Sequence, residues 1–117
     1  MKIFLDDRIN PSDIFNRDLD FDYYQNDWTI VRTYDEFINI ITNNDEITII
    51  SFDHDLTLNH YRNEVNINYE SMDEKCGYHC LKYFLENKFN PNVKLKVHSF
   101  NPEGKKNMLR LIDEYKL

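Results

Sequence analysis

The segment Ile47-Thr48-Ile49-Ile50-Ser51-Phe52 constrains the fold of this chain more than any other. It is nearly continuous in apolar and β-branched residues, the signature of a strand buried on both faces of a parallel sheet. It stops abruptly at Asp53-His54-Asp55. Such a strand needs parallel neighbours on both sides and helices over both faces, and the rest of the sequence supplies candidates for each. Ile3-Phe4-Leu5 reads as a first strand ended by Asp6-Asp7-Arg8, and Trp28-Thr29-Ile30-Val31 as a second ended by Arg32. Val93, Leu95 and Val97 alternate with Lys94 and Lys96, which suits a strand with one wet face at a sheet edge, and this strand stops at His98-Ser99.

Helical periods separate the strands. Thr33-Tyr34-Asp35-Glu36 has the form of a capping box, followed by Tyr34, Phe37, Ile38 and Ile41 at helical spacing. Ser71-Met72-Asp73-Glu74 has the same form, and Cys80, Leu81, Phe84 and Leu85 give its helix an apolar face. Asn101-Pro102 reads as an N-cap with proline at the first helical position, opening a helix that carries Met108, Leu111, Ile112 and Tyr115 inward. The stretch 10–27 reads either as loop or as a short helix near Asp13 to Phe15. Alternating strands and helices imply right-handed crossovers. The expectation is a three-layer α/β/α sandwich with a parallel sheet of about four strands in the order 2-1-3-4. The 117 residues suffice for one such domain, spanning 1–117, with the polar stretch 57–75 as a lid over the carboxyl ends of the strands.

Composition narrows the function. A formal charge of −7 argues against broad binding to duplex nucleic acid, which depends on neutralising many phosphates. A small phosphorylated, nucleotide-like ligand remains compatible, because a carboxylate cluster holding a cation attracts anions. No apolar run approaches the roughly 20 residues of a membrane span. Asp6 and Asp7 interrupt the N-terminal apolar run too early for a signal peptide, so a cytoplasmic protein is expected. Cys76 and Cys80, four apart on a helix, read as core-filling thiols rather than a disulfide or a zinc site. Abundant Asn, Ile and Lys with two Gly fits the codon usage of an AT-rich genome, such as a phage or low-GC bacterium. Oligomeric state is not legible.

In an open parallel α/β sheet, ligands bind outside the carboxyl ends of the strands. Three of the four expected strands end there in acidic or imidazole groups: Asp6 and Asp7, then Asp53, His54 and Asp55, then His98. Four crowded carboxylates call for a cation, and hard oxygen donors suit Mg²⁺ or Mn²⁺. Asp6, Asp7, Asp53 and Asp55 are therefore the candidate metal ligands. His98 is the candidate general acid, with His54 as the alternative acid or the base. Arg8, Arg32, Ser99 and Asn101 are candidate phosphate-binding groups, although surface salt bridges would account equally for the arginines.

Ile3-Phe4-Leu5-Asp6-Asp7-Arg8, Trp28 through Val31-Arg32-Thr33, Ser51-Phe52-Asp53-His54-Asp55-Leu56, Gly77-Tyr78 and His98-Ser99-Phe100-Asn101-Pro102-Glu103-Gly104, with Asn107-Met108, resemble the cyclic-phosphate processing receiver-like domain family. Members are divergent relatives of response-regulator receivers. The resemblance spans nearly the whole chain and implies a truncated receiver (flavodoxin-like) fold. It also implies action on cyclic phosphates of nucleotides or ADP-ribose derivatives. By similarity to receivers, Asp6 and Asp7 would be metal ligands, Asp53 the phospho-accepting aspartate and Ser99 the hydroxyl after the next strand. Receivers continue to a fifth strand ending in a lysine, and neither is expected here, which shifts the balance from switch to enzyme. The leading expectation is thus a metal-dependent phosphoesterase acting through activated water or an Asp53 nucleophile. The alternatives are a non-catalytic binding module for a phosphorylated ligand and a degenerate regulatory receiver.

Overall fold

The structure, a computed structural model, describes residues 1–24, 27–56, 69 and 75–116. Four parallel strands, β1 (Lys2–Leu5), β2 (Trp28–Val31), β3 (Ile49–Phe52) and β4 (Lys94–Val97), form one sheet in the order β2-β1-β3-β4. This is the expected receiver-like topology. Leu5 pairs with Val31 and with Phe52, and Phe52 pairs with Val97, so all four strands end level.

Strand alternation divides the core in two. Ile3, Leu5, Ile50 and Phe52 point to one face, where α2 (Tyr34–Asn43), α3 (Gly77–Asn87) and α4 (Pro102–Lys116) cover them with Phe37, Ile41, Leu81, Phe84 and Met108. Phe4 points to the other face and packs with Ile14, Tyr23 and Trp28, brought by α1 (Pro11–Asp18) and a short 3₁₀ turn, Phe21–Tyr23. The stretch around residues 10–27 is thus helical over more of its length than the period alone indicated. Its helix stops at Leu19, which adopts φ 53° without the glycine that usually marks such a stop.

The α2 cap forms as expected: the Glu36 N–H donates to Thr33 Oγ1. The box expected at 71–74 lies outside the described residues, as do His60 and most of the 57–75 stretch. The described helix α3 starts at Gly77, and its N-cap Cys76 donates its backbone N–H to His79 Nδ1. Cys76 and Cys80 are free and buried, as expected of core thiols, and burial pushes Cys76 up to about 12. Tyr115, expected to face inward, is exposed instead. Strand β4 lies at the edge, and its lysines are clipped to the 3₁₀ turn: Lys96 reaches Asp20 and Asp22, and Lys94 reaches Asp22 at 2.7 Å. No described helix is long and apolar enough to cross a membrane.

Candidate active site

The level ends of the strands decide what meets. The amide of Asp6 donates to Val31 O, that of Asp53 to Leu5 O and that of His98 to Phe52 O. Each therefore occupies the first position beyond its strand, still held by the ladder. Because Leu5, Phe52 and Val97 point toward the three-helix face, the next residue on each strand points toward the α1 face. Asp6, Asp53 and His98 accordingly converge, each offering a ligand atom within 4.8 Å of the others, and all three are buried.

Their partners set their charges. Asp6 Oδ1 accepts the Arg8 and Ile9 amides at 2.8 and 3.0 Å, and Oδ2 lies 3.0 Å from His98 Nε2. Burial works to raise this carboxyl, but the His98 hydrogen bond and the two amides outweigh it and hold Asp6 below the usual range. Burial lowers His98, although Asp6 pulls the other way. Asp53 has one amide, that of His54, to its Oδ1. Burial, aided by the Asp6 charge, pushes Asp53 up to about 8.

The His98 ring is fixed from every side. It stacks on Phe4 with centroids 4.3 Å apart and planes 9° from parallel. Its Nδ1 lies 2.7 Å from Ser51 Oγ, which lies 2.6 Å from Tyr23 OH. With His98 neutral, one proton assignment satisfies the whole chain: Tyr23 donates to Ser51, Ser51 to Nδ1, and Nε2–H to ionised Asp6. Neither Ser51 nor Tyr23 was among the sequence candidates. Ser51 could have been, as the one hydroxyl facing the core within β3, where an unpartnered polar group is costly. Tyr23 carried no comparable signal.

The remaining candidates lie elsewhere. His54 turns to the three-helix face, where Nδ1 meets Asp55 Oδ1 at 2.7 Å and Nε2 meets Tyr69 OH at 2.9 Å. Asn107 Nδ2 also donates to that Tyr69 hydroxyl. Asp55 takes part in this second network, receiving Asn101 Nδ2 at 3.3 Å, and is not drawn into the trio. Asp7, half-buried beside Arg8, also lies outside the trio, though its charge helps to raise Asp53. Asn101 Oδ1 caps α4 by accepting the Gly104 amide, and Ser99 Oγ accepts the Asn101 amide. Arg32 donates to the carbonyls of Asp6 and Ile9 and to Asn10 Oδ1, which makes it a clamp on the β1–α1 loop. Both glycines of the chain serve this region. A Cβ on Gly77 would stand 1.6 Å from the Asp53 carbonyl oxygen, and one on Gly104 would stand 2.4 Å from the His54 ring.

A family profile described as the cyclic-phosphate processing receiver domain matches residues 1–114. The chain belongs to that family. No curated protein and no solved structure gives a match. For a cyclic-phosphate processing receiver domain, the trio is the natural place to ask whether a cation fits. Two buried carboxylates converge, one of them pushed up to about 8 by burial and by the charge of the other. Among the described residues, Asp53 Oδ2 accepts no hydrogen bond. The donor set fits a divalent metal. Its identity follows less directly, since carboxylates suit Mg²⁺ or Mn²⁺ whereas imidazole suits softer ions.

Proposed function

We propose that this domain is a metal-dependent phosphoesterase that opens a cyclic phosphate carried by a nucleotide or ADP-ribose derivative. The observation that carries this reading is the trio: Asp6 held low, Asp53 raised to about 8 and His98 hydrogen-bonded to Asp6 through Nε2, together at the strand ends where such folds bind ligands. Membership of a cyclic-phosphate processing family supports the choice of a cyclic phosphate as substrate.

Asp6 and Asp53 would hold the cation, which when bound would polarise the phosphate and acidify a water. His98 is the proton carrier. Opening the ring forms one P–O bond from water and breaks another, so one proton leaves the water and one reaches the departing oxygen. The His98–Asp6 pair first takes the proton from the water, and Nε2 then gives one to the departing oxygen as Asp6 returns its own, so the neutral ring never becomes an imidazolate. The stack on Phe4 and the bond from Ser51 keep Nε2 directed at Asp6, so the ring does not need to reorganise. Asp55, His54 and Asn101 act one layer back by fixing the segment that carries Asp53.

Phosphorus NMR of the protein with Mg²⁺ or Mn²⁺ tests the proposal against 2′,3′-cyclic, 3′,5′-cyclic and ADP-ribose cyclic phosphates. Conversion of at least one to a monoester is expected, abolished by EDTA and by His98→Ala. Unchanged resonances across the panel, with metal present, would overturn it.

A further inference from the structure

Beside the trio stands an exposed aromatic ring that the chemistry above leaves unused. Phe100 lies two residues after His98 and is 57% exposed, although its neighbour Ser99 is buried. Its backbone is fixed on either side: Ser99 Oγ receives the Asn101 amide, and Asn101 Oδ1 receives the Gly104 amide. The ring is held from behind as well. The Arg17 guanidinium lies 3.8 Å from the ring centroid and is itself anchored by two bonds to Asp18, at 2.7 and 2.6 Å. The positive charges of Arg17 and Lys105 are near enough to bear on His98. A single exposed phenylalanine is ordinary. One clamped on both backbone sides, backed by a flat cation and set at the rim of a catalytic cluster is a preorganised stacking surface, presented with little ordering left to lose.

We propose that Phe100 is a specificity-determining residue that stacks the nucleobase of the substrate, so that the site favours base-bearing phosphates over base-free ones. This rests on the phosphoesterase reading for the location of the phosphate at the trio, but not on turnover. A base has a π-face whatever its identity, so the platform selects nucleosides as a class without choosing among them.

Calorimetric titration in Mg²⁺ buffer, with adenosine 3′-monophosphate and base-free ribose 5-phosphate, separates the two ideas. Phe100→Ala is expected to weaken the adenosine ligand about ten-fold, the scale of one stacked base, and to leave ribose 5-phosphate unchanged. Phe100→Trp is expected to bind the adenosine ligand as wild type does. In turnover, the same Phe100→Ala change should raise KM for a nucleoside 2′,3′-cyclic phosphate and spare glycerol 1,2-cyclic phosphate. Equal loss for both ligands, no loss for either, a Phe100→Trp variant as weak as Phe100→Ala, or wild-type protein that binds neither ligand would overturn the proposal. Base-dependent binding without turnover of any cyclic phosphate would support the platform and overturn the phosphoesterase reading alone.

Discussion

Substituting Gly77 by alanine tests how tightly the first turn of α3 is pressed against the segment that carries Asp53. The added Cβ would lie 1.6 Å from the Asp53 carbonyl oxygen and 3.0 Å from His54 Cα, where ordinary contact begins at 3.4 Å. Both neighbours are backbone, so no side chain can swing away. Relief requires the helix start to withdraw, which also breaks the 2.7 Å bond from the Gly77 amide to His54 O. Overpacking of this kind costs about 1–3 kcal/mol or more, and an orphaned buried acceptor about 1–3 kcal/mol. The better helix propensity of alanine returns up to about 1 kcal/mol. The net expectation is a loss of roughly 2–4 kcal/mol, or a Tm lower by about 10 °C or more for a domain of this size. Thermal and guanidinium unfolding followed by circular dichroism measure it. A Gly77→Ala protein melting within about 2 °C of wild type would show that the helix does not bear on the Asp53 segment, and the account of how Asp53 is positioned would fail with it.

Three further outcomes are expected. In metal-free protein, Asp53 is raised to about 8 from an unfolded value near 3.9, so its contribution to stability is complete below that lower value and is lost as pH rises through about 8. Urea titrations across pH 5–9 in EDTA should show Asp53→Asn flattening this decline, and an unchanged slope would place the proton elsewhere. Mg²⁺ or Mn²⁺ should raise the melting temperature of wild-type protein, an effect that either Asp6→Ala or Asp53→Ala removes; a full shift in both variants would take the cation away from the trio. Ser51→Ala should leave His98 Nδ1 without its donor, so nitrogen NMR should show the Nδ1 resonance move toward that of an unbonded acceptor nitrogen while Nε2–H stays on Asp6, with turnover reduced about ten-fold. A His98 signal indifferent to Ser51 would dissolve the proposed proton chain.

The sheet was legible because parallel, doubly buried strands leave uninterrupted apolar runs, and the ionisable residues at their ends mark where the runs stop. The parity of those ends also lay in the sequence. Once β1, β3 and β4 end level, strand alternation sends Asp6, Asp53 and His98 the same way. What strand logic cannot follow is the chain after it leaves the sheet. Asp53 and Asp55 are two apart and would share a face in a continuing strand, yet the chain turns and Asp55 joins the His54 ring on the opposite side. Arg32 looked like an anion clamp because a strand-end arginine has no visible partner in sequence, and two of its three bonds here go to backbone carbonyls, which carry no sequence signature. Helix α1 was ambiguous for a related reason. It ends on a left-handed leucine, and the chain's glycines are needed where helices approach the Asp53–His54 segment.

The clip between β4 and the 3₁₀ turn extends the reach of the solvent. Lys94, Lys96, Asp20 and Asp22 are at least partly wet, so added salt weakens their mutual attraction far more than it weakens anything in the core. The turn they restrain ends in Tyr23, the outermost member of the chain leading through Ser51 to His98. Raising the ionic strength is therefore expected to reach a buried imidazole from a distance, by loosening four surface charges and with them the hydroxyl that bonds Ser51, with no ion entering the site. The acidity of His98 should drift with salt concentration in wild-type protein and stay flat once Lys96 is replaced by methionine.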